Sequence, residues 1–260
     1  MERSRLLQCL AADYMRLREV AGAGLTAKVP TCPLWTVGDL VRHVGMVYLH
    51  KAEVMRLGSW PDPWPPETTE EPIALLDRGY GALTHEFSRR HDGDQATTWH
   101  SADQTVKFWI RRMAQETLIH RLDAEIAHNA DPAPIPDDLA ADGVDEVLEL
   151  FVGYGSTQWT EDFEQPLAQA KGHVAEIRML PAARCWQVQA TPQHVLVTAI
   201  DDSVTTPPPS ATVTGSPVAL LRWLWARESN PTTDVHQPIE VKGDEEAIAE
   251  LRTLLRAGTQ

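Results

Sequence analysis

Cysteine is scarce in this chain of 260 residues, and its distribution argues against two kinds of site. The three cysteines, Cys9, Cys32 and Cys185, are odd in number and widely separated. Neither a disulfide framework nor a thiolate zinc site is indicated, because both need paired or clustered thiols. We expect each cysteine to be a small buried hydrophobe or an inert thiol, and the protein to reside in a reducing cytoplasm.

Basic residues are also in short supply. The chain has 23 lysines and arginines against 37 aspartates and glutamates, which gives a formal net charge of -14. Nucleic acids and anionic membrane surfaces both require a clustered basic face. We therefore expect no nucleic-acid partner and no membrane partner.

Long apolar runs are missing as well. No stretch of the sequence reaches the apolar length of a membrane span. The segment after Met1 continues into an amphipathic pattern that includes Leu6, Leu10 and Tyr14, which is unlike a signal peptide. Because 43% of the residues are hydrophobic, we expect a soluble protein with one large core or two small ones.

The hydrophobic periodicity changes at a polar, proline-rich linker over residues 129–138. Before the linker, four helical patterns predict a bundle, and after it the pattern is mixed. The sequence thus predicts an α+β fold, with a four-helix bundle at 1–130 and a small α+β domain at 137–260. The predicted helices are 4–24, 36–57, 71–91, 104–128, 139–163, 217–228 and 244–255, and the predicted strands are 174–180, 184–190, 194–200, 211–214 and 239–241.

Two polar residues interrupt the apolar face of the fourth predicted helix. Glu116 and His120 are four residues apart and so share one face, on a line with Trp109 and Met113. A buried carboxylate needs a partner, and the usual solutions are an ion pair or a metal. A simple hydrogen bond between the two side chains is the plainer interpretation of this pair.

The best third metal ligand is His43. Thr36 and Asp39 form a pattern typical of a capping box, which starts a helix and places His43 one turn inside it. Two imidazoles and a carboxylate make the His₂Glu set of an open zinc site, in which water or substrate takes the fourth position. His50 competes for this role because it lies seven residues further along nearly the same face. A satisfied core histidine is the plainer interpretation of His43.

Two motifs resemble the mycothiol-dependent maleylpyruvate isomerase family, whose members are related to the DinB-like metal-binding bundles. They are Trp-Thr-Val-Gly-Asp-Leu-Val-x-His at 35–43 and Glu-Thr-x-x-His-Arg-x-Asp-Ala-Glu at 116–125. The resemblance implies that His43, Glu116 and His120 hold a divalent metal, most often zinc. Asp123 is a candidate to orient His120, and its alternative is a salt bridge to Arg121 or Arg112.

The C-terminal part also resembles this family, with its sterol-carrier-like second domain. The segment 215–227 is similar to the family's C-terminal signature, which ends in an arginine. The resemblance implies that Arg227 is catalytic and grips a carboxylate of the substrate or thiol. This chain has Ala226 where the family commonly has glycine, and Arg227 could instead cap its own helix.

The resemblance implies an enzyme that activates mycothiol, a low-molecular-weight thiol, for attack on a small electrophile. Addition to a cis double bond, rotation and elimination would make an isomerase, whereas release of the adduct would make an S-transferase. The alternatives are a non-catalytic module that binds a small ligand or a protein and keeps a structural metal, and a hydrolase that uses metal-bound water. The sequence does not decide among zinc, nickel and iron.

Overall fold

The computed structural model describes residues 1–181, 184–200, 207–228 and 239–259. The chain divides into two compact units, Met1–Pro134 and Ile135–Gln260. The α+β fold class is confirmed, since a helical N-terminal unit is followed by a unit with a mixed sheet. None of the described helices combines the length and the apolar character that crossing a membrane requires.

The first unit is the predicted four-helix bundle. Its main helix pairs are α1 with α4 and α2 with α3, and α2 also packs against α4. The helices are α1 (Arg3–Ala21), α2 (Val37–Leu57), α3 (Pro72–Ser88) and α4 (Val106–His128). Helix α4 contributes much of the core even though it carries several charged residues, because it is buried on most of its sides.

Helices α2 and α3 cross where two glycines meet. A Cβ atom added to Gly79 would lie 2.4 Å from the carbonyl oxygen of Gly45, and one added to Gly45 would lie 2.9 Å from the amide nitrogen of Leu76. Both contacts are with backbone atoms, which cannot move aside as a flexible side chain can. The absence of side chains at these two positions therefore sets how closely α2, the helix that carries His43, approaches α3.

We expect Gly79→Ala to destabilise the protein by about 1 to 3 kcal/mol, because the added methyl group forces the two helices apart. Gly81 of the same helix is the matched control, since no atom lies within 4 Å of a Cβ placed there. Gly81→Ala is expected to raise stability by roughly 0.5 to 1 kcal/mol through the better helix propensity of alanine. Urea unfolding of the two variants measures both effects, and equal shifts would contradict the close-packing argument.

The second unit holds a five-stranded sheet in the order β3-β2-β1-β4-β5. All neighbouring pairs are antiparallel except β1 and β4, which are parallel. Its strands are β1 (Val174–Met179), β2 (Arg184–Ala190), β3 (Val195–Ile200), β4 (Ala211–Gly215) and β5 (Glu240–Gly243). Its helices are α5 (Asp137–Glu146), α6 (Gly155–Gln158), α7 (Thr160–Gln169), α8 (Pro217–Leu224) and α9 (Glu245–Thr259), and a π-helical stretch, Val147–Tyr154, joins α5 to α6.

The single helix predicted over 139–163 was wrong in one respect, because the helical path breaks at Trp159. The backbone of Trp159 leaves the helical region at φ -103° and ψ 58°. A Cβ atom on Gly155 would lie 2.7 Å from the indole ring of Trp159, so the ring folds back over the glycine. This packing replaces the next helical turn, and a new helix, α7, starts at Thr160.

Candidate metal centre

A well-formed helix start positions His43. The Thr36 hydroxyl accepts a hydrogen bond from the backbone N–H of Asp39 at 3.2 Å, and the Asp39 carboxylate accepts one from the backbone N–H of Thr36 at 2.9 Å. These reciprocal bonds confirm the predicted capping box and satisfy amide groups that a helix leaves unpaired at its start. His43 then lies on the second turn of α2, with its ring centroid 4.9 Å from that of Trp35.

The structure brings His43, Glu116 and His120 together around one point. Oε1 of Glu116 lies 3.3 Å from Nε2 of His43 and also 3.3 Å from Nε2 of His120. The three possible ligand atoms all lie within 4.8 Å of one another. Two ligands about 2.05 Å from a tetrahedral metal are about 3.3 Å apart, so both short distances fit a zinc ion held by these atoms.

A second layer of polar side chains fixes the three groups. Nδ1 of His120 lies 3.0 Å from Oδ2 of Asp123, and the hydroxyl of Thr31 donates to the other oxygen of Asp123 at 2.5 Å. The guanidinium of Arg112 donates to Oε2 of Glu116 at 2.6 Å. Nε2 of His120 and Oε1 of Glu116 therefore face the shared point, while Nδ1 of His120 and Oε2 of Glu116 are held by Asp123 and Arg112.

The same contacts shift both pKa values of the α4 pair. Burial alone would lower the pKa of His120, but its hydrogen bonds to Asp123 and Glu116 outweigh burial and raise the pKa to about 9. Burial alone would raise the pKa of Glu116, but the bond to His120, the charge of that imidazolium and the contacts with His43 and Arg112 hold it well below its usual range. Without a metal, the pair is an imidazolium beside a carboxylate, so a cation must displace the His120 proton to bind.

His50, the competing third ligand, lies among different partners. Its ring stacks on that of Trp60 at 5.6 Å and lies 4.8 Å from that of Trp64. Its Nδ1 lies 2.9 Å from Nζ of Lys51. Burial, assisted by the charge of Lys51, lowers the pKa of His50 to about 4, so the ring is neutral at physiological pH and its Nδ1 accepts the hydrogen bond.

A cavity of about 540 Å³ opens beside His43 in the first unit. This volume suits a small organic molecule rather than a macromolecule. Trp64, from the proline-rich loop after α2, forms part of its wall. The lining residues are Arg42, His43, Met46, Val47, His50, Lys51, Trp64, Pro65, Pro66 and Thr68.

Arg227 lies in the second unit, just beyond α8, and is 5% exposed. The end of α8 is a Schellman motif, since the N–H of Ala226 donates to the carbonyl of Trp223 and the N–H of Arg227 to that of Arg222. Ala226 has φ 53°, the left-handed conformation that favours glycine, which explains why the helix ends before the predicted residue 228. The guanidinium of Arg227 donates to the carbonyl of Trp225 at 2.6 Å, a contact of the capping kind.

Comparisons with known proteins cover both units. Residues 7–125 match the family model of the mycothiol maleylpyruvate isomerase N-terminal domain, and residues 138–250 match that of the MDMPI C-terminal domain. No curated protein sequence matches the chain. Crystal structures of the mycothiol-dependent maleylpyruvate isomerase and of a histidine-to-alanine mutant of it share its fold, with a TM-score of 0.60 in both cases and 14% and 13% identity. Each alignment covers 92% of this chain and 96% of the other.

Proposed function

Because the chain belongs to the mycothiol-dependent maleylpyruvate isomerase family, we propose that it is a metal-dependent enzyme that uses mycothiol as a cosubstrate. His43, Glu116 and His120 would hold the divalent metal, with zinc as the first choice for this donor set. The thiol would be used either for cis–trans isomerisation or for S-transfer to a small electrophile. The proposed place of action is the cytoplasm.

One observation carries this proposal. Two imidazole nitrogens and one carboxylate oxygen lie within 4.8 Å of one another, and His43 also lines a cavity. A structural zinc site is normally closed by four protein ligands, whereas this set offers three. An open coordination position beside a cavity favours chemistry over a purely structural metal.

A bound divalent metal would supply acidity, since a cation lowers the pKa of a thiol next to it and favours the thiolate at neutral pH. The side chains of this chain do the positioning. Asp123 lies against Nδ1 of His120, which would leave Nε2 to bind the metal, and Arg112 donates a hydrogen bond to Oε2 of Glu116. Burial raises the pKa of the Cys185 thiol in the second unit, which makes this residue a poor nucleophile.

The two reaction types differ in what happens to the thiol adduct. In isomerisation the thiol adds to an activated cis double bond, the new single bond rotates, and the thiol is eliminated, so it is not consumed. In S-transfer the adduct is released and one thiol is consumed for each turnover. Arg227 remains our proposed catalytic residue of the second unit, suited by its planar guanidinium to a carboxylate of the substrate.

The first test is metal content, measured by elemental mass spectrometry on protein purified without chelator or nickel affinity resin. We expect about one zinc per chain. Zinc-loaded protein is then incubated with mycothiol and maleylpyruvate, and fumarylpyruvate and free thiol are followed together. Product without loss of thiol supports isomerisation, whereas thiol loss with formation of an adduct supports S-transfer.

Other results would favour the alternatives. Activity that needs zinc but no added thiol would indicate the hydrolase. A tightly held zinc with a fourth protein ligand, together with no turnover of any tested electrophile, would indicate the non-catalytic binding module. Protein that takes up no metal, even when zinc is offered and the excess removed, would overturn the proposed function.

A further inference from the structure

The cavity beside His43 has an unusual charge for this chain. Its lining includes two cationic side chains, Arg42 and Lys51, and no aspartate or glutamate. The whole chain, in contrast, carries a formal net charge of -14. A small basic cavity in an acidic protein selects for an anionic ligand, because the charges that would repel an anion lie elsewhere.

Lys51 has no carboxylate partner. Its Nζ atom donates to Nδ1 of His50 at 2.9 Å and lies 4.7 Å above the ring of Trp109 and 5.9 Å from that of Trp60. In the part of the chain that the structure describes, no carboxylate oxygen lies within 4.0 Å of this ammonium. Burial lowers its pKa to about 8, although the charge of Glu116 counteracts the effect, so the group is largely protonated at pH 7.

Arg42 is in the same situation. It donates to the backbone carbonyl of Glu70 at 2.8 Å, and over the described residues it forms no ion pair with a carboxylate. Other arginines of the first unit do pair with acids. These pairs are Arg3 with Asp92, Arg16 with Glu125, Arg18 with Asp77, Arg56 with Glu53, Arg78 with Glu70, Arg90 with Glu86, Arg112 with Glu116 and Arg121 with Asp13.

We propose that this cavity is the subsite for a carboxylate of the electrophilic substrate, and that Lys51 and Arg42 bind that carboxylate. A partly buried cation without a counter-ion is unfavourable in the free protein, and a bound carboxylate would neutralise it with charge-assisted hydrogen bonds. This inference rests on the proposed function, because that function is what makes the bound carboxylate part of a substrate. Lys51 and Arg42 would thus position a small organic acid with its reactive carbon near the metal centre.

The remaining walls suit the carbon skeleton of such an acid. Met46, Val47, Trp64 and two prolines supply the apolar surface of the cavity. His43 belongs both to this lining and to the His₂Glu set, so a molecule that fills the cavity contacts the proposed metal centre. The cations thus orient one end of the acid while its other end reaches the place where the thiol would be activated.

The test is calorimetric titration of zinc-loaded protein with succinate, a dicarboxylate that has no reactive double bond. Neutral succinamide is the uncharged analogue. We expect succinate to bind in the millimolar range or tighter and succinamide not to bind. Lys51→Met should weaken succinate binding at least about tenfold, the value expected for one charge-assisted hydrogen bond. Lys51→Arg, which keeps the charge, should restore most of the affinity.

Lys107→Met is the matched control, because Lys107 is an exposed lysine of the same unit and lies on α4. We expect its succinate affinity to equal that of the wild type. Zinc content and thermal melting are recorded for every variant, so that weak binding by misfolded protein is recognised. Lys51→Arg provides a second, folded test if Lys51→Met is unstable.

Two results would overturn the proposal. One is equal binding of succinate by Lys51→Met and wild type, which would place the carboxylate on the metal alone. The other is equal binding of succinate and succinamide, or of neither, by the wild type. The titration needs no thiol and no turnover, so a failure of the proposed isomerase or transferase chemistry leaves its outcome readable.

Discussion

Replacing His120 with alanine is expected to remove zinc from the protein and to abolish thiol-dependent turnover. The zinc-binding free energy of a four-ligand structural site is about 10 to 16 kcal/mol, or roughly 2.5 to 4 kcal/mol for each ligand. Loss of one ligand from a set of three should therefore weaken zinc binding about 100-fold or more. Zinc per chain after dialysis against a weak chelator measures the loss directly.

His50→Ala is the matched control for His120→Ala. His50 was the competing third ligand, but its ring lies against Trp60 and Trp64 and it donates no atom to the His₂Glu cluster. We expect His50→Ala to keep about one zinc per chain. The metal-site assignment would be wrong if His50→Ala lost zinc while His120→Ala retained it.

Proton release gives a second readout of the same prediction. In the metal-free protein the pKa of His120 is about 9, so this group is protonated at pH 7 and must lose its proton when zinc binds. Zinc uptake in weak buffer at pH 7 should release close to one proton per chain, and zinc affinity should rise about tenfold per pH unit up to about pH 9. Uptake without proton release would mean that His120 is not a ligand.

The raised pKa of His120 also determines how the stability of the metal-free protein changes with pH. A histidine whose pKa is higher in the folded state stabilises that state at pH values below its unfolded pKa of about 6.5. This contribution is lost as the pH rises from there through about 9. Metal-free protein should therefore lose stability over this range, whereas zinc-loaded protein should not.

The grouping of Glu116, His120 and His43 could be predicted from the sequence because most of its determinants are local. Glu116 and His120 share a helix face through their spacing alone, and the capping box of Thr36 and Asp39 fixes where the helix of His43 starts. Only the approach of α2 to α4 is non-local. The order of the motifs in the family resemblance supplied that information, which the spacing of the residues does not contain.

Lys51 and Arg42 were missed because a lysine or an arginine in an amphipathic helix usually faces solvent. One signal was present in the sequence: Lys51 follows His43 by eight residues, which places both side chains within the same half of the α2 surface. What the sequence could not show is that Trp60 and Trp109 would cover that side. The surroundings of the ammonium, which include aromatic rings and no carboxylate within 4.0 Å among the described residues, depend on these long-range contacts.

The helix break at Trp159 and the end of α8 show the same difference between local signals, which the sequence contains, and tertiary contacts, which it does not. The pattern over 139–163 is helical throughout, and only the packing of the Trp159 ring on Gly155 ends the helix early. The end of α8 was harder to place because Ala226 occupies a left-handed position that glycine usually signals. Helix propensity describes the conformation that a segment favours in isolation, and here a tertiary contact overrides that preference.

Arg121→Met is expected to destabilise the protein by about 3 to 5 kcal/mol, the range for removing one partner of a buried ion pair. Arg121 is 0% exposed; its Nε atom lies 2.9 Å from the carboxylate of Asp13 and its Nη1 atom 2.7 Å from that of Glu125. Arg16 also contacts Glu125 at 2.9 Å, so the main group left without compensation is Asp13.

The pH dependence of this loss identifies its cause. Burial raises the pKa of Asp13 to about 6 even with Arg121 present, whose charge and hydrogen bond oppose the shift. Because the folded state then holds this proton more tightly than the unfolded state, stability falls as the pH rises from about 4 through 6. Without Arg121 that pKa should rise further, so the destabilisation should be larger at pH 8 than at pH 5.

Arg18→Met is the control for charge removal at the surface. Arg18 contacts Asp77 at 2.8 Å, but its side chain is 50% exposed and water solvates both groups. Its loss should change stability much less than the loss of Arg121 does, with little dependence on pH between 5 and 8. Urea unfolding of both variants at the two pH values makes the comparison. Equal, pH-independent losses would show that Arg121 contributes through packing of its side chain rather than through its charge.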